Sequence, residues 1–172
     1  SISLKYRYNP AHARSLLFEA GFSRGEDGLL HDESGEKVEF DLMIYSGSTV
    51  YSDIAQIIAD ECKREGIIVN VRQVEFQKLV EMMTSTYDWQ SILIGFSGGG
   101  MFPTQGSNVW VSSGNLHVWY PLQSSPATDW EAKVDKLYNE ASCIVDQETA
   151  ASLWNEYQEI LLEQCPVIYL VR

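Results

Sequence analysis

Cys62-Lys63-Arg64-Glu65-Gly66-Ile67-Ile68-Val69-Asn70-Val71-Arg72-Gln73-Val74 is the stretch that decides the fold. Up to Cys62 the chain places Ile54, Ala55, Ile58 and Cys62 at helical spacing, which predicts a helix over residues 50–65. Gly66 supplies the residue that most readily ends such a helix. From Ile67 the chain becomes β-branched and reads as a strand over residues 67–74. A helix that passes to a strand across one glycine is the repeating step of an α/β architecture.

The same alternation extends in both directions. Asn9-Pro10 opens a helix with Asn9 as N-cap and proline in the first turn, where its missing N–H costs nothing. Ala13, Leu16, Leu17 and Ala20 form the apolar stripe of that helix, and Gly21 stops it. Gly28-Leu29-Leu30 and residues 37–45 read as a hairpin turning around Asp32-Glu33-Ser34-Gly35, with Val38, Phe40 and Leu42 on one face. A short helix over residues 76–83 directs Phe76, Leu79, Val80 and Met83 inward. The apolar run Ile92-Leu93-Ile94 predicts a strand over residues 89–95, buried on both faces.

Thr128-Asp129-Trp130-Glu131 is a capping box opening a helix with Trp130, Val134, Leu137 and Ala141 on one face. Asp146 caps the last helix, whose stripe is Ala150, Leu153, Trp154, Tyr157, Ile160 and Leu161. Pro166-Val167-Ile168-Tyr169-Leu170-Val171 reads as a final strand. The pattern as a whole predicts one α/β lobe over residues 1–172 with a mixed sheet flanked by helices.

Composition excludes several function classes. The 172 residues carry a net charge of -12, which disfavours nucleic acid and an anionic membrane as partners, since both call for a basic face. No run of about 18 apolar residues marks a membrane span, and Ser1-Ile2-Ser3-Leu4-Lys5-Tyr6 lacks the basic start and apolar centre of a signal peptide. The three cysteines, Cys62, Cys143 and Cys165, form no Cys-x-x-Cys pair. They read as small buried hydrophobes, with no disulfide assignable. His12, His31 and His117 share no ligand spacing, so no metal site is expected, and His117, in the long loop, reads as solvent-exposed, with a ligand contact as the alternative. No Gly-x-Ser-x-Gly elbow occurs, no catalytic group is signalled, and the acidic residues read as solvated helix faces.

The regular pattern breaks over residues 96–126, rich in Gly, Ser, Asn, Pro and aromatics, a length that points to a functional loop. Phe96, Ser97, Gly98, Gly99 and Gly100 lead it, and Ser107, Asn108, Trp110 and Trp119 follow. The glycines either admit a ligand close to the backbone or form a turn. The tryptophans either stack on a ligand or pin the loop, and Ser107 and Asn108 either bind ligand or form a solvated turn.

Five segments in order resemble the extracytoplasmic solute-binding proteins of family 5, the oligopeptide- and dipeptide-binding receptors of ABC importers. They are Tyr8-Asn9-Pro10 through Ala20-Gly21-Phe22, Gly28-Leu29-Leu30 with Gly35-Glu36-Lys37-Val38, Gly66-Ile67-Ile68-Val69-Asn70-Val71, Tyr87-Asp88-Trp89 with Ile94-Gly95-Phe96, and Asp146 through Glu163-Gln164-Cys165-Pro166-Val167-Ile168-Tyr169-Leu170. The resemblance implies a periplasmic-binding-protein type II lobe, most of the second ligand-binding lobe of a longer two-lobed receptor. It implies a non-enzymatic importer component, without cofactor, whose partners are a peptide or small-molecule ligand, the permease subunits and the N-terminal lobe of the same chain. It also implies a periplasmic or lipoprotein location, with a signal peptide upstream. In the family's peptide binders a Gly-Trp-x-x-Asp segment holds the peptide amine. Here the Asp position falls on Gly99, and no acid lies between Gly95 and Pro126. A buried ammonium without a carboxylate is poorly compensated. The departure keeps two alternatives open, an oligosaccharide-binding member of the family and a solute-sensing regulatory module built on the same lobe.

Overall fold

The structure, a computed structural model, describes residues 7–95 and 106–170. These two stretches form two compact units. In the first, helix α1 (Pro10–Glu19) starts as its sequence dictates: the Asn9 side chain accepts from the His12 N–H at 3.1 Å. Helix α2 (Thr49–Arg64) connects strand β3 (Glu39–Tyr45) to strand β4 (Ile68–Val74), and the two strands pair in parallel with Leu42 opposite Val71. Strand β5 (Ser91–Leu93) joins the other side of β3, also parallel, giving the order β4-β3-β5. Parallel neighbours need a crossover of helical length, and α2 provides it. Leu42, Ile44 and Ala55 form the buried centre, closed by Tyr51, Ile58, Val69, Val71 and Leu93.

Gly66 is required where it stands. Its φ of +83° is left-handed, and a Cβ there would lie 2.8 Å from the Leu30 nitrogen. That nitrogen donates to the Gly66 carbonyl at 2.8 Å, so the helix stop also anchors the preceding ribbon.

Several sequence expectations are corrected here. Strand β2 (Leu30–His31) pairs antiparallel with β1 (Ser23–Arg24), and meets the segment before β3 only through the His31–Lys37 bridge. The turn stands at Asp32–Gly35 as expected, but the antiparallel pairing ends at Val38, because residues 39–45 find two parallel partners from distant sequence. The antiparallel pairing is therefore a separate ribbon, and the three-stranded sheet is parallel. Strand β5 is three residues long and half-buried: among the described residues it pairs only with β3. Helix α3 (Phe76–Glu81) buries Leu79, but Phe76 stays 46% exposed and meets Tyr45 edge-on at 5.6 Å.

In the second unit a short helix, α4 (Ser107–Trp110), precedes irregular chain up to Thr128. Helix α5 (Asp129–Cys143) begins with the expected capping box and α6 (Gln147–Gln164) with the expected Asp146 cap. The two helices fold back on one another around Val134, Leu137, Tyr138, Tyr157 and Leu161. Trp110, Trp130 and Trp154 pack against that cluster. Residues 166–170 form no strand, and Ile168 is 74% exposed: among the described residues this unit offers no strand to pair with. Val171 lies outside the described residues. Cys143 and Cys165 are free and exposed, at the last turn of α5 and the end of α6, not buried as expected. Cys62 is half-buried, and its burial pushes the thiol pKa up.

Candidate functional site

The irregular segment before α5 is organised by one carboxylate. Glu131 is buried, and its Oε1 lies 3.1 Å from His117 Nε2 while accepting from Trp119 Nε1 at 3.3 Å and Gln123 Nε2 at 2.8 Å. Oε2 accepts from the Thr128 N–H at 3.0 Å and the Thr128 hydroxyl at 2.8 Å. Burial pushes this carboxyl up, but hydrogen bonds from Gln123, His117, Thr128 and Trp119 outweigh it and hold the pKa down at about 2. His117 is fully buried, and its Nδ1 lies 2.8 Å from the Val109 carbonyl. The ring thus bridges the Val109 carbonyl and the Glu131 carboxylate. Trp119 stacks beside it, 3.8 Å from the His117 ring and 6.3 Å from Trp130.

The expectation that His117 faces solvent is thus overturned, and Glu131 is an exception to the solvated acidic surface. Both were missed because a lone histidine carries no spacing signal. The available signal was the capping box: its Glu131 uses one oxygen on Thr128 and leaves the other for partners.

Beside this cluster lies a recess of about 400 Å³. Ser107, Asn108, Ser113 and Asn115 supply its polar lining, Val111 and Leu122 its apolar lining, and Gly114 completes it. Its walls are tied together: Leu116 N–H donates to the Asn108 carbonyl at 3.0 Å and Leu122 N–H to the Gly114 carbonyl at 3.1 Å. Ser112, between these walls, donates to Asp135 through its N–H at 2.8 Å and its hydroxyl at 2.5 Å.

Of the residues expected at a ligand site, Phe96, Ser97, Gly98, Gly99 and Gly100 lie outside the described residues. Ser107 and Asn108 come together at the recess, and Ser107 also hydrogen-bonds the hydroxyl of Tyr138. Trp110 and Trp119 lie 6.1 Å apart with their rings tilted by 45°, neither lines the recess, and Trp110 is also 6.1 Å from Tyr169. Among the described residues no group of His, Cys, Asp and Glu is arranged to hold a metal, and no helix is long and apolar enough to cross a membrane.

Residues 2–117 match the family model "Bacterial extracellular solute-binding proteins, family 5 Middle". A probable ABC transporter-binding protein of Deinococcus radiodurans is 33% identical over 127 residues, 67% of this chain and 21% of that protein. The oligopeptide-binding protein AppA of Bacillus subtilis is 30% identical over 171 residues, 96% of this chain and 30% of AppA. The solved structure of AppA with a nonapeptide superposes with a TM-score of 0.78, covering 94% of this chain and 31% of that one. A periplasmic oligopeptide-binding protein of Thermotoga maritima, solved with mannohexaose, shares the fold with a TM-score of 0.79 at 22% identity, over 96% of this chain and 31% of that one. The chain belongs to the bacterial extracellular solute-binding proteins of family 5, and its α/β fold is that of a type II periplasmic binding protein. It spans less than a third of the length of these relatives.

Proposed function

We propose that this chain is most of the second ligand-binding lobe of an ABC importer's receptor, which captures an oligopeptide outside the membrane and delivers it to the permease. The observation that carries this reading is the 30% identity to AppA, sustained over 96% of the chain. Two lobes close about the ligand, binding shifts the open–closed population, and the permease recognises the closed form. The ligand-facing residues in this reading are Phe96, Ser97, Gly98, Gly99 and Gly100, with Ser107, Asn108, Trp110 and Trp119. No bond is made or broken; transport energy is supplied by the importer's ATPase.

One observation favours a second ligand class. No acidic residue lies between Gly95 and Pro126 to hold a peptide amine, and the recess lining is uncharged, which suits a neutral oligosaccharide. Native mass spectrometry of the full-length receptor separates the two. A ladder of co-purifying peptide masses is the expected result. A discrete saccharide mass would replace the peptide reading with the second one.

A further inference from the structure

The recess beside α4 has three properties that together define what fits it. Its lining carries no ionisable side chain, on a chain whose net charge is -12. Asn108 and Asn115 each present a donor and an acceptor, and Val111 and Leu122 add an apolar side. The walls are also fixed before any ligand arrives. A Cβ on Gly114 would lie 2.1 Å from the Asn108 carbonyl oxygen, so only glycine permits this approach. Leu122 is held at a left-handed φ of 54° while 66% exposed. Such a backbone is unfavourable for a leucine, whose Cβ crowds the following carbonyl oxygen. An exposed side chain gains little from burial in return, and strain of this kind gathers at binding surfaces. The volume, about 400 Å³, falls within the range of small-molecule pockets.

We propose that this recess is a specificity subsite for an uncharged, hydrogen-bonding side chain of the bound peptide, of the amide or hydroxyl type. This rests on the oligopeptide reading above. A carboxylate entering the recess meets no cation in its lining and adds to a surplus of negative charge. An ammonium meets dipoles but no carboxylate. An amide or hydroxyl exchanges its water for Asn108 and Asn115 and rests its aliphatic part on Val111 and Leu122. Asn108 is the discriminating residue, because its exposed side chain lines the recess while its carbonyl is spent on Leu116.

The test uses the full-length receptor, as wild type and as Asn108→Asp, each incubated with a nonapeptide mixture randomised at every position. Bound peptides are sequenced by mass spectrometry. The substitution is isosteric and leaves the backbone contact in place, so the fold is retained. In the wild type, one peptide position is expected to favour Asn, Gln, Ser and Thr over Asp, Glu, Lys and Arg by threefold or more. In Asn108→Asp that same position is expected to turn to Lys and Arg by threefold or more, with the other positions unchanged. Peptides bound with either effect missing would overturn the subsite and leave the oligopeptide reading standing. No peptide retained by the wild type would overturn the oligopeptide reading, and the subsite with it.

Discussion

Glu131 is the residue on which the second unit's loop turns. Five donor contacts converge on its two oxygens, from His117, Trp119, Gln123 and twice from Thr128. Glu131→Gln removes the charge and turns an N–H₂ toward groups that themselves donate. Leaving a buried donor without its acceptor costs about 1–3 kcal/mol, and urea unfolding at pH 7 is expected to show a loss of at least that size. A loss below about 1 kcal/mol would mean the carboxylate is solvated. The same carboxyl imposes a pH dependence of definite sign. Its folded pKa lies near 2 against an ordinary 4.5, so the unfolded chain takes up the proton first as pH falls. The stabilisation is fully present above pH 4.5 and is lost as pH falls toward 2, on the order of 3 kcal/mol in total. The stability gap between wild type and Glu131→Gln is therefore expected to narrow across that window. A gap independent of pH would place the carboxylate's titration in the ordinary range.

At the scale of elements, local signals were legible and non-local ones were not. The starts of α1, α5 and α6 follow from Asn9, Thr128 and Asp146, each of which hydrogen-bonds its own first turn. Thr128→Ala is expected to destabilise the second unit by about 0.5–2 kcal/mol, read by chemical denaturation. Its effect is expected to be non-additive with Glu131→Gln, because both act on one hydrogen-bonded group. Additive effects would separate the cap from the buried cluster. Residues 39–45 were recognisable as a strand, but their parallel partners lie at 68–74 and 91–93, and alternation records a face, not a neighbour. Residues 166–170 carry every local mark of a strand yet form none in this unit, because a strand exists only with a partner. In the site, Ser107 and Asn108 were legible as loop polars, whereas Val111, Gly114 and Leu122 were not. Their roles depend on how the loop doubles back on Asn108, which no local pattern encodes.

At the scale of the whole molecule, this chain accounts for less than a third of the length of its relatives, and the two tryptophans of the loop differ in what they have left to offer a ligand. Trp119 has committed its N–H to Glu131, with its ring beside His117. Trp110 is different: it is half-buried, rests on the α5–α6 core and on Tyr169, and keeps part of its indole free. An aromatic contact of this kind contributes about 0.5–1.5 kcal/mol beyond area burial. Trp110→Ala in the full-length receptor is therefore expected to weaken ligand binding about two- to tenfold by calorimetry. Trp110→Phe, which keeps an aromatic face, is expected to restore most of it. If the indole served only to pin the loop, Trp110→Ala would lower the unfolding midpoint of the second unit and leave the affinity unchanged in the folded protein. Stability and affinity measured on the same two variants thus assign Trp110 either to the ligand or to the loop's own interior.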